Sequence, residues 1–327
     1  MSVSQIELAQ MQSLPLDMKI RKTVARLSEF YDYYNGDIAV SVSGGIDSRV
    51  LFDIARKAYP NIPAVFSNTG VEFKAIVNFV KTLDGVDVVR PEHSFNWVTK
   101  NYGWPVVSKK ISRFISDCQN PTERNVNVRQ LRLTGISQKT NPGKVMNSFK
   151  IPKKWLYLID APFKISDKCC EVLKKKPLGK YRKETGYKTV TAEMAVESEM
   201  REKTYLRTGC NNFHESNPKS MPMGFWTRQD VLEYITVFKI SYCKEKYGDI
   251  LRDPVSNLLF NTGEQRTGCY VCPFGCHLEK CPNRYQRMEG TTEYKVCENL
   301  GVWPILDYIN VPHSAAQMNK QSIRYTE

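Results

Sequence analysis

The chain has no run approaching the roughly twenty apolar residues needed to span a bilayer. Its start, Met1-Ser2-Val3-Ser4-Gln5-Ile6-Glu7, has neither the basic opening nor the continuous apolar core of a secretory signal. The sequence therefore predicts a cytoplasmic protein with no membrane partner. Histidine is scarce: the four, at 93, 214, 277 and 313, form no two-histidine metal motif and suggest no Ser-His-Asp triad. His214 and His313 read as surface residues, and His277 as a candidate neighbour of a metal. No Gly-Lys-Ser/Thr ending of a Walker A loop is present, which disfavours kinase-type and motor-type NTPases. Internal repeats and low-complexity tracts are also missing.

What the chain does have is Ser43-Gly44-Gly45-Ile46-Asp47-Ser48, set between the apolar run Ile38–Val42 and the helix-like run Arg49–Ala55. A strand that breaks into two glycines and restarts as a helix lets backbone N–H groups and a helix N-terminus converge on an anion, with no Cβ in the way. Phosphate suits that cradle. Ser43 and Ser48 add hydroxyls, and Asp47 is placed either to cap the helix or to hold magnesium bound to the phosphates.

The second signal lies in the ten cysteines, at 118, 169, 170, 210, 243, 269, 272, 276, 281 and 297. Cys169 and Cys170 are adjacent, and a CxxC follows at Cys269 and Cys272. Adjacent cysteines rarely pair with each other, and thiols in a chain with no export signal favour metal ligation over disulfides. Two pairs of thiolates suit a tetrahedral metal or an iron–sulfur cluster. The residues alone leave open a zinc knuckle using Cys269, Cys272, Cys276, His277 and Cys281.

The loop resembles the SGGxDS element of the PP-loop ATP pyrophosphatases, which split ATP between its α and β phosphates or bind adenylyl sulfate in the same cradle. Cys169-Cys170 with Lys174 and Pro177-Leu178 resembles the CC-x-x-x-K-x-x-PL segment of adenylyl sulfate reductases. Together these features are similar to the phosphoadenosine phosphosulfate reductase family over most of residues 20 to 280. The resemblance implies a 4Fe-4S cluster on Cys169, Cys170, Cys269 and Cys272, with Lys174 tempering its charge, and zinc as the alternative. It also implies ATP, with magnesium, or adenylyl sulfate at Ser43, Gly44, Gly45, Asp47 and Ser48, and nucleotide contacts from Asn68, Thr69 and Gly70. Thr191–Arg201 is similar to the family's substrate-facing stretch ending in Ser-x-x-Arg, which assigns Ser198 to the nucleotide. The same comparison sets Arg201 beside Asp47 and Ser48 as catalytic candidates.

Two departures bear on the reaction. Where the reductases carry arginines for the anionic end of the sulfonucleotide, this chain has Met194 and Ala195. Nor does it carry their Glu-Cys-Gly-(Ile/Leu)-His motif, since no cysteine follows Cys297. Cys210 and Cys297 are substitute nucleophiles by elimination only, and each reads ordinarily as a buried structural residue.

Charge points to another acceptor. The chain has 47 Lys+Arg against 34 Asp+Glu, a net charge of +13. Between Lys164 and Lys188, nine basic residues accompany three acidic ones, interleaved with Tyr181 and Tyr187. Such a stripe attracts polyanions and offers rings for bases to stack on. Two branches related to the family put sulfur into nucleic acid, and the chain resembles the DNA phosphorothioation pyrophosphatases. The resulting expectation is an adenylylating ATP pyrophosphatase that supports sulfur transfer to nucleic acid. The alternatives are a sulfonucleotide reductase releasing sulfite, or a non-catalytic binding component of a modification or defence complex. Homo-oligomers or modification-complex subunits are the expected protein partners.

The expected fold is α/β: a parallel-sheet PP-loop core, similar to the adenine nucleotide alpha hydrolases, followed by a Cys-rich helical C-terminal region. Residues 1–215 are assigned to the nucleotide-binding domain, with a basic excursion at about 120–154, and residues 216–327 to the C-terminal region, packed on the core through the metal site. Ile20, Val24, Leu27, Phe30 and Tyr34 mark an amphipathic helix. Strands are predicted at Ile38–Val42, Ile62–Phe66, Val86–Val89 and Trp155–Ile159. Arg124, Arg129 and Arg132 are candidates for phosphate contact in the excursion. Thr227 with Asp230 forms a weak capping box ahead of a helix.

Overall fold

The computed structural model describes residues 2–138 and 142–317; the tail segment Met318–Glu327 lies outside them. The chain divides into two compact units that interleave along the sequence. The first takes residues 1–68, 72–90 and 177–268, and the second 69–71, 91–176 and 269–327. Segments beyond residue 216 thus contribute to both units.

The first unit is built on a mixed sheet. Its strands are β1 (Ile38–Val42), β2 (Ala64–Ser67), β3 (Val86–Val89), β4 (Lys188–Val190), β5 (Asn211–Asn212) and β6 (Lys219–Ser220). Their spatial order is β3-β2-β1-β4-β6-β5, and every pairing is parallel except that of β5 with β6. Val40 sits opposite Ala64 on one side and Val190 on the other. Ile38, Ala39, Val40 and Val42 of β1 are all buried, as expected of a parallel strand covered on both faces. The chain runs outward from β1 in one direction to β3 and then crosses to β4 on the other flank. A ligand crevice opens at such a switch point, beyond the carboxyl ends of the central strands. Residues 43–48 lie there.

Helix Leu16–Tyr33 buries Lys19, Thr23, Leu27 and Phe30, a stripe with the spacing of successive helical turns. Lys19 is a cation in that stripe, and it is only 2% exposed. Its ammonium is bonded to both carboxylate oxygens of Asp230, at 2.6 and 2.7 Å, and to the Gln12 carbonyl at 2.7 Å. Asp230 in turn completes the capping box with Thr227 at the start of helix Arg228–Phe238. A two-stranded ribbon, β7 (Ile250–Arg252) and β8 (Leu259–Asn261), completes this unit.

In the second unit, Trp155–Ile159 is not a strand. It belongs to a 3₁₀ stretch, Lys153–Asp160, in which only Leu158 is buried. The Gln119 side-chain amide, at the end of helix Lys109–Gln119, donates to the carbonyls of Leu158, Ile159 and Phe163 at 3.2–3.4 Å. A side chain therefore takes the bonds that a neighbouring strand would supply. The basic excursion contains helix Val126–Thr134. Within it Arg132 is buried, paired with Asp117 at 3.0 Å and seated 3.8 Å over the Phe114 ring. Its Nε faces Asp117 and its guanidinium lies on a ring, while its Nη1 has no partner among the described residues. No helix among the described residues is long and apolar enough to cross a membrane.

Candidate functional site

The loop between β1 and helix Ile46–Ala58 is held by its own serines. Ser48 Oγ donates to the Gly45 carbonyl at 2.8 Å and accepts from Ser43 N–H at 3.1 Å, while Ser43 Oγ accepts from Gly45 N–H at 3.2 Å. Gly44 has φ +74°, and a Cβ there would come within 2.4 Å of Ile76 Cγ2. No other residue fits that position without displacing the helix Lys74–Lys81 that carries Ile76. The result is a tight bend that opens a helix N-terminus, with Asp47 in its first turn.

Beside this bend lies a cavity of about 280 Å³, lined among others by Asp47, Met194, Glu197, Thr227, Arg228 and Arg266. Arg228 Nη1 is 3.1 Å from Asp47 Oδ1, and its Nη2 donates to Asn261 Oδ1 at 3.0 Å and to the Gln265 carbonyl at 3.2 Å. Arg266 pairs with Glu197 at 3.2 Å, and Arg201 is bonded to the same carboxylate. Glu197 also accepts from Met194 N–H at 2.9 Å. Burial lowers the Arg201 guanidinium from its ordinary value, Glu193 opposes this, Arg266 adds to the lowering and Asp47 opposes it. Tyr247, its hydroxyl 2.7 Å from Thr267 Oγ1, is pushed up to about 12, chiefly by burial. It is neutral at physiological pH. Arginines converging on one small cavity suit an anion, because each guanidinium presents a fixed fork of donors.

Ser43, Gly44, Gly45, Asp47 and Ser48 thus share one element, and Arg201 reaches the same group of charges through Glu197. Ser198 caps helix Glu199–Thr208 by accepting from Arg201 N–H at 3.3 Å. Asn68 donates its backbone N–H to the Val89 carbonyl at 2.9 Å. Gly70 adopts φ +79°. Thr69 belongs to the second unit, where its Oγ1 lies 3.4 Å from Cys269 Sγ. Sequence reasoning missed Arg228, Arg266 and Tyr247. Isolated basic residues and a tyrosine downstream of the loop carry no motif; the Thr227–Asp230 cap was the nearest signal, since it fixes where Arg228 begins its helix.

The second unit gathers the thiols. Cys169 and Cys170 lead into a π-helical turn, Glu171–Lys175, which carries Lys174. Burial raises the Cys169 thiol, and the neighbouring thiols of Cys269, Cys272 and Cys170 raise it further, while Lys174 opposes them. Burial likewise pushes Cys272 up to about 11. The four cysteines assigned from the resemblance therefore act on one another inside one unit. Among the described residues, no group of three or more His, Cys, Asp or Glu is arranged to hold a metal ion as it stands. Cys276 is buried and donates from Sγ to the Pro273 carbonyl at 2.9 Å. His277 packs edge-on against Trp155, with centroids 5.2 Å apart. None of the ten cysteines is in a disulfide. Cys210 is buried 3.6 Å from the Tyr205 hydroxyl, and Cys297 is fully buried.

A mostly parallel sheet with a glycine bend at its switch point is an α/β fold consistent with a PP-loop-like core. Residues 37–120, which hold β1, the Ser43–Ser48 loop, β2 and β3, match the model of the phosphoadenosine phosphosulfate reductase domain. The chain is also 26% identical over 266 residues to the uncharacterized protein MJ0973 of Methanocaldococcus jannaschii, covering 79% of this chain and 47% of that protein. It thus spans about half the length of that relative. A solved phosphoadenylyl-sulfate reductase from Candida auris, in a phosphate complex, is similar at 14% identity and a TM-score of 0.38. That alignment covers 75% of this chain and 92% of the other.

Proposed function

We propose that the protein is an adenylylating ATP pyrophosphatase that binds its nucleotide in the Ser43–Ser48 loop and supports sulfur transfer to nucleic acid. The observation that carries this reading is the arginine-lined cavity beside the glycine bend. The loop N–H groups and helix N-terminus suit phosphate, and Arg228 and Arg266 suit the charge that builds as a phosphoanhydride breaks. An oxygen of the acceptor attacks the α-phosphorus, the bond from that phosphorus to the bridging oxygen breaks, and pyrophosphate leaves with the electron pair. Magnesium, when bound, neutralises the phosphates. A sulfide-class nucleophile then attacks the adenylylated centre of the acceptor, forming the bond to sulfur as the bond to the AMP oxygen breaks and AMP leaves with the electron pair.

The reading includes a 4Fe-4S cluster on Cys169, Cys170, Cys269 and Cys272. The donor chemistry suits such a cluster: four thiols of one unit, none in a disulfide, that act on one another, although they would have to draw together to close on it. A zinc knuckle would draw on Cys276, whose Sγ is engaged instead with the Pro273 carbonyl. The cluster, when bound, supplies iron-bound sulfur and electron storage; the protein supplies the thiolates and the Lys174 cation.

A sulfonucleotide reductase needs a reactive thiolate. Burial raises both the Cys210 and Cys297 thiols, the second to about 12, which favours the pyrophosphatase reading. The test is pyrophosphate release from ATP by anaerobically purified full-length protein, with and without DNA or RNA. Release that depends on nucleic acid and is lost in Asp47→Ala is the expected result. Thiol-dependent sulfite release from adenylyl sulfate, with no pyrophosphate from ATP, overturns it in favour of the reductase. Salt-sensitive nucleic-acid binding without turnover of either nucleotide points to the non-catalytic component.

A further inference from the structure

A second cavity lies wholly within the first unit, and no residue of the Ser43–Ser48 loop lines it. It measures about 600 Å³, the size of a small-molecule site. Its walls come from the N-terminal segment, helix Leu16–Tyr33 and residues 205–213. These walls are tied together. Val3 N–H donates to the Leu206 carbonyl at 2.7 Å, which holds the N-terminal segment against helix Glu199–Thr208. Asn211 Nδ2 donates to the Arg26 carbonyl at 2.8 Å, and the Phe213 ring rests on Phe30 and Tyr33, with centroids 5.7 and 4.6 Å away.

The lining has an apolar part and a charged part. Val3, Met11, Leu14 and Phe213 supply the first, and Glu7, Lys22, Arg26 and Glu29 the second. Both carboxylates are already engaged. Glu7 Oε2 accepts from Ser4 N–H and Oγ at 2.7 and 2.8 Å, and Glu29 Oε2 accepts from Arg26 Nη1 at 2.8 Å and from Asn211 Nδ2 at 3.0 Å. Lys22 stands one helical turn before Arg26, is half-buried, and has no hydrogen-bond or ion-pair partner among the described residues. A partly desolvated ammonium without a counter-charge favours an anion. Tyr205 adds a donor. It is 2% exposed, and among the described residues its hydroxyl meets only sulfur, Met11 Sδ at 3.7 Å and Cys210 Sγ at 3.6 Å. Thioether and thiol sulfurs are weak acceptors, so an oxygen of a bound molecule is the better partner.

We infer that this cavity is a second binding site, whose ligand is a small organic anion with an apolar body and one carboxylate or sulfonate end. The body packs on Met11, Leu14 and Phe213, the anionic end pairs with Lys22, and Tyr205 donates to an oxygen of the ligand. The site is separate from the cavity beside Asp47, with which it shares no lining residue.

The test titrates anilinonaphthalene sulfonate, an aromatic sulfonate that fluoresces in apolar sites, into anaerobically purified full-length protein. Phenylbutyrate and phenylbutylamine, which share a body and differ in the sign of their charge, then compete with it. Saturable binding of the probe is expected, with phenylbutyrate displacing it at a concentration about tenfold or more below that of the amine. Lys22→Met keeps the packing of the stem and removes the charge. It is expected to weaken the probe about tenfold, the size of one charge-assisted contact. Should that variant lose the wild-type circular dichroism, exposed Arg26→Gln is read in its place with the same expectation. Saturating ATP is expected to leave the probe bound. Absence of saturable binding, equal or stronger displacement by the amine, unchanged affinity in the folded variant, or displacement by ATP each overturns the inference.

Discussion

Arg228 Nη1 lies 3.1 Å from Asp47 Oδ1. The pair joins the first turn of the helix that follows the glycine bend to the first residue of helix Arg228–Phe238. Asp47 thus faces the cavity already neutralised by an arginine. On the proposed reading, a nucleotide entering there would share or replace that interaction, and Arg228 would read its phosphate charge. Arg228→Ala is expected to weaken ATP binding about tenfold or more, the size of one charge-assisted hydrogen bond. Calorimetric titration at fixed salt checks this; an unchanged affinity removes Arg228 from the site.

Iron content separates the four assigned cysteines from the rest. Serine at Cys169, Cys170, Cys269 or Cys272 is expected to abolish or sharply reduce bound iron and visible absorption in anaerobically purified protein. Serine at Cys276 is expected to leave both near the wild-type level, because that thiol is already committed to the Pro273 carbonyl. Loss of iron in Cys276→Ser with retention in Cys170→Ser reverses the ligand assignment.

Thiol reactivity and alkaline stability follow from burial. Exposed Cys281 is expected to react with iodoacetamide at pH 8 in the native protein, and buried Cys210 and Cys297 only after unfolding. Cys297 is pushed up to about 12 by burial and then by Glu293, against about 8.5 for an unfolded thiol. Its folded-state pKa is raised, so the associated stability is fully present below about pH 8.5 and is lost as pH rises towards 12. Urea midpoints between pH 8 and 10.5 test this; the fall should be shallower in Cys297→Ala than in wild type.

Lys19 and Asp230 form a buried pair in the first unit. Removing one member leaves an uncompensated charge, so Lys19→Ala is expected to cost about 3–5 kcal/mol in urea unfolding. A loss under about 1 kcal/mol would show that water reaches the pair.

Lys180, Arg182 and Lys183 are exposed on helix Lys176–Thr185. If nucleic acid is the acceptor, glutamate at all three should weaken binding and flatten the dependence of log K on log salt, by about 0.7–0.9 for each phosphate that is no longer neutralised. An unchanged slope places the acceptor elsewhere.

Much of the sheet was readable from periodicity. Ile38–Val42 and Val86–Val89 form strands over the residues expected, valine and isoleucine dominating both, whereas the strand expected at Ile62–Phe66 runs from Ala64 to Ser67. β4, β5 and β6 are two or three residues long and polar, so no pattern marks them. Trp155–Ile159 misled because its apolar run is a turn satisfied by Gln119, a long-range side-chain interaction that no local pattern records. The loop residues were legible because a glycine bend must sit between strand and helix. Arg228 and Arg266 were not, because only the fold brings them to Asp47 and Glu197.

The proposed chemistry depends on an adenylyl nucleotide binding at the Ser43–Ser48 bend. Equilibrium binding of ATP and of adenylyl sulfate to anaerobically purified, iron-loaded full-length protein tests it most directly, with Gly44→Val and Asp47→Ala alongside. The expected result is saturable binding of at least one of the two nucleotides, lost in the Gly44 variant and weakened in the Asp47 variant. Absence of binding by both nucleotides to folded wild type, or undiminished binding in Gly44→Val, would contradict it.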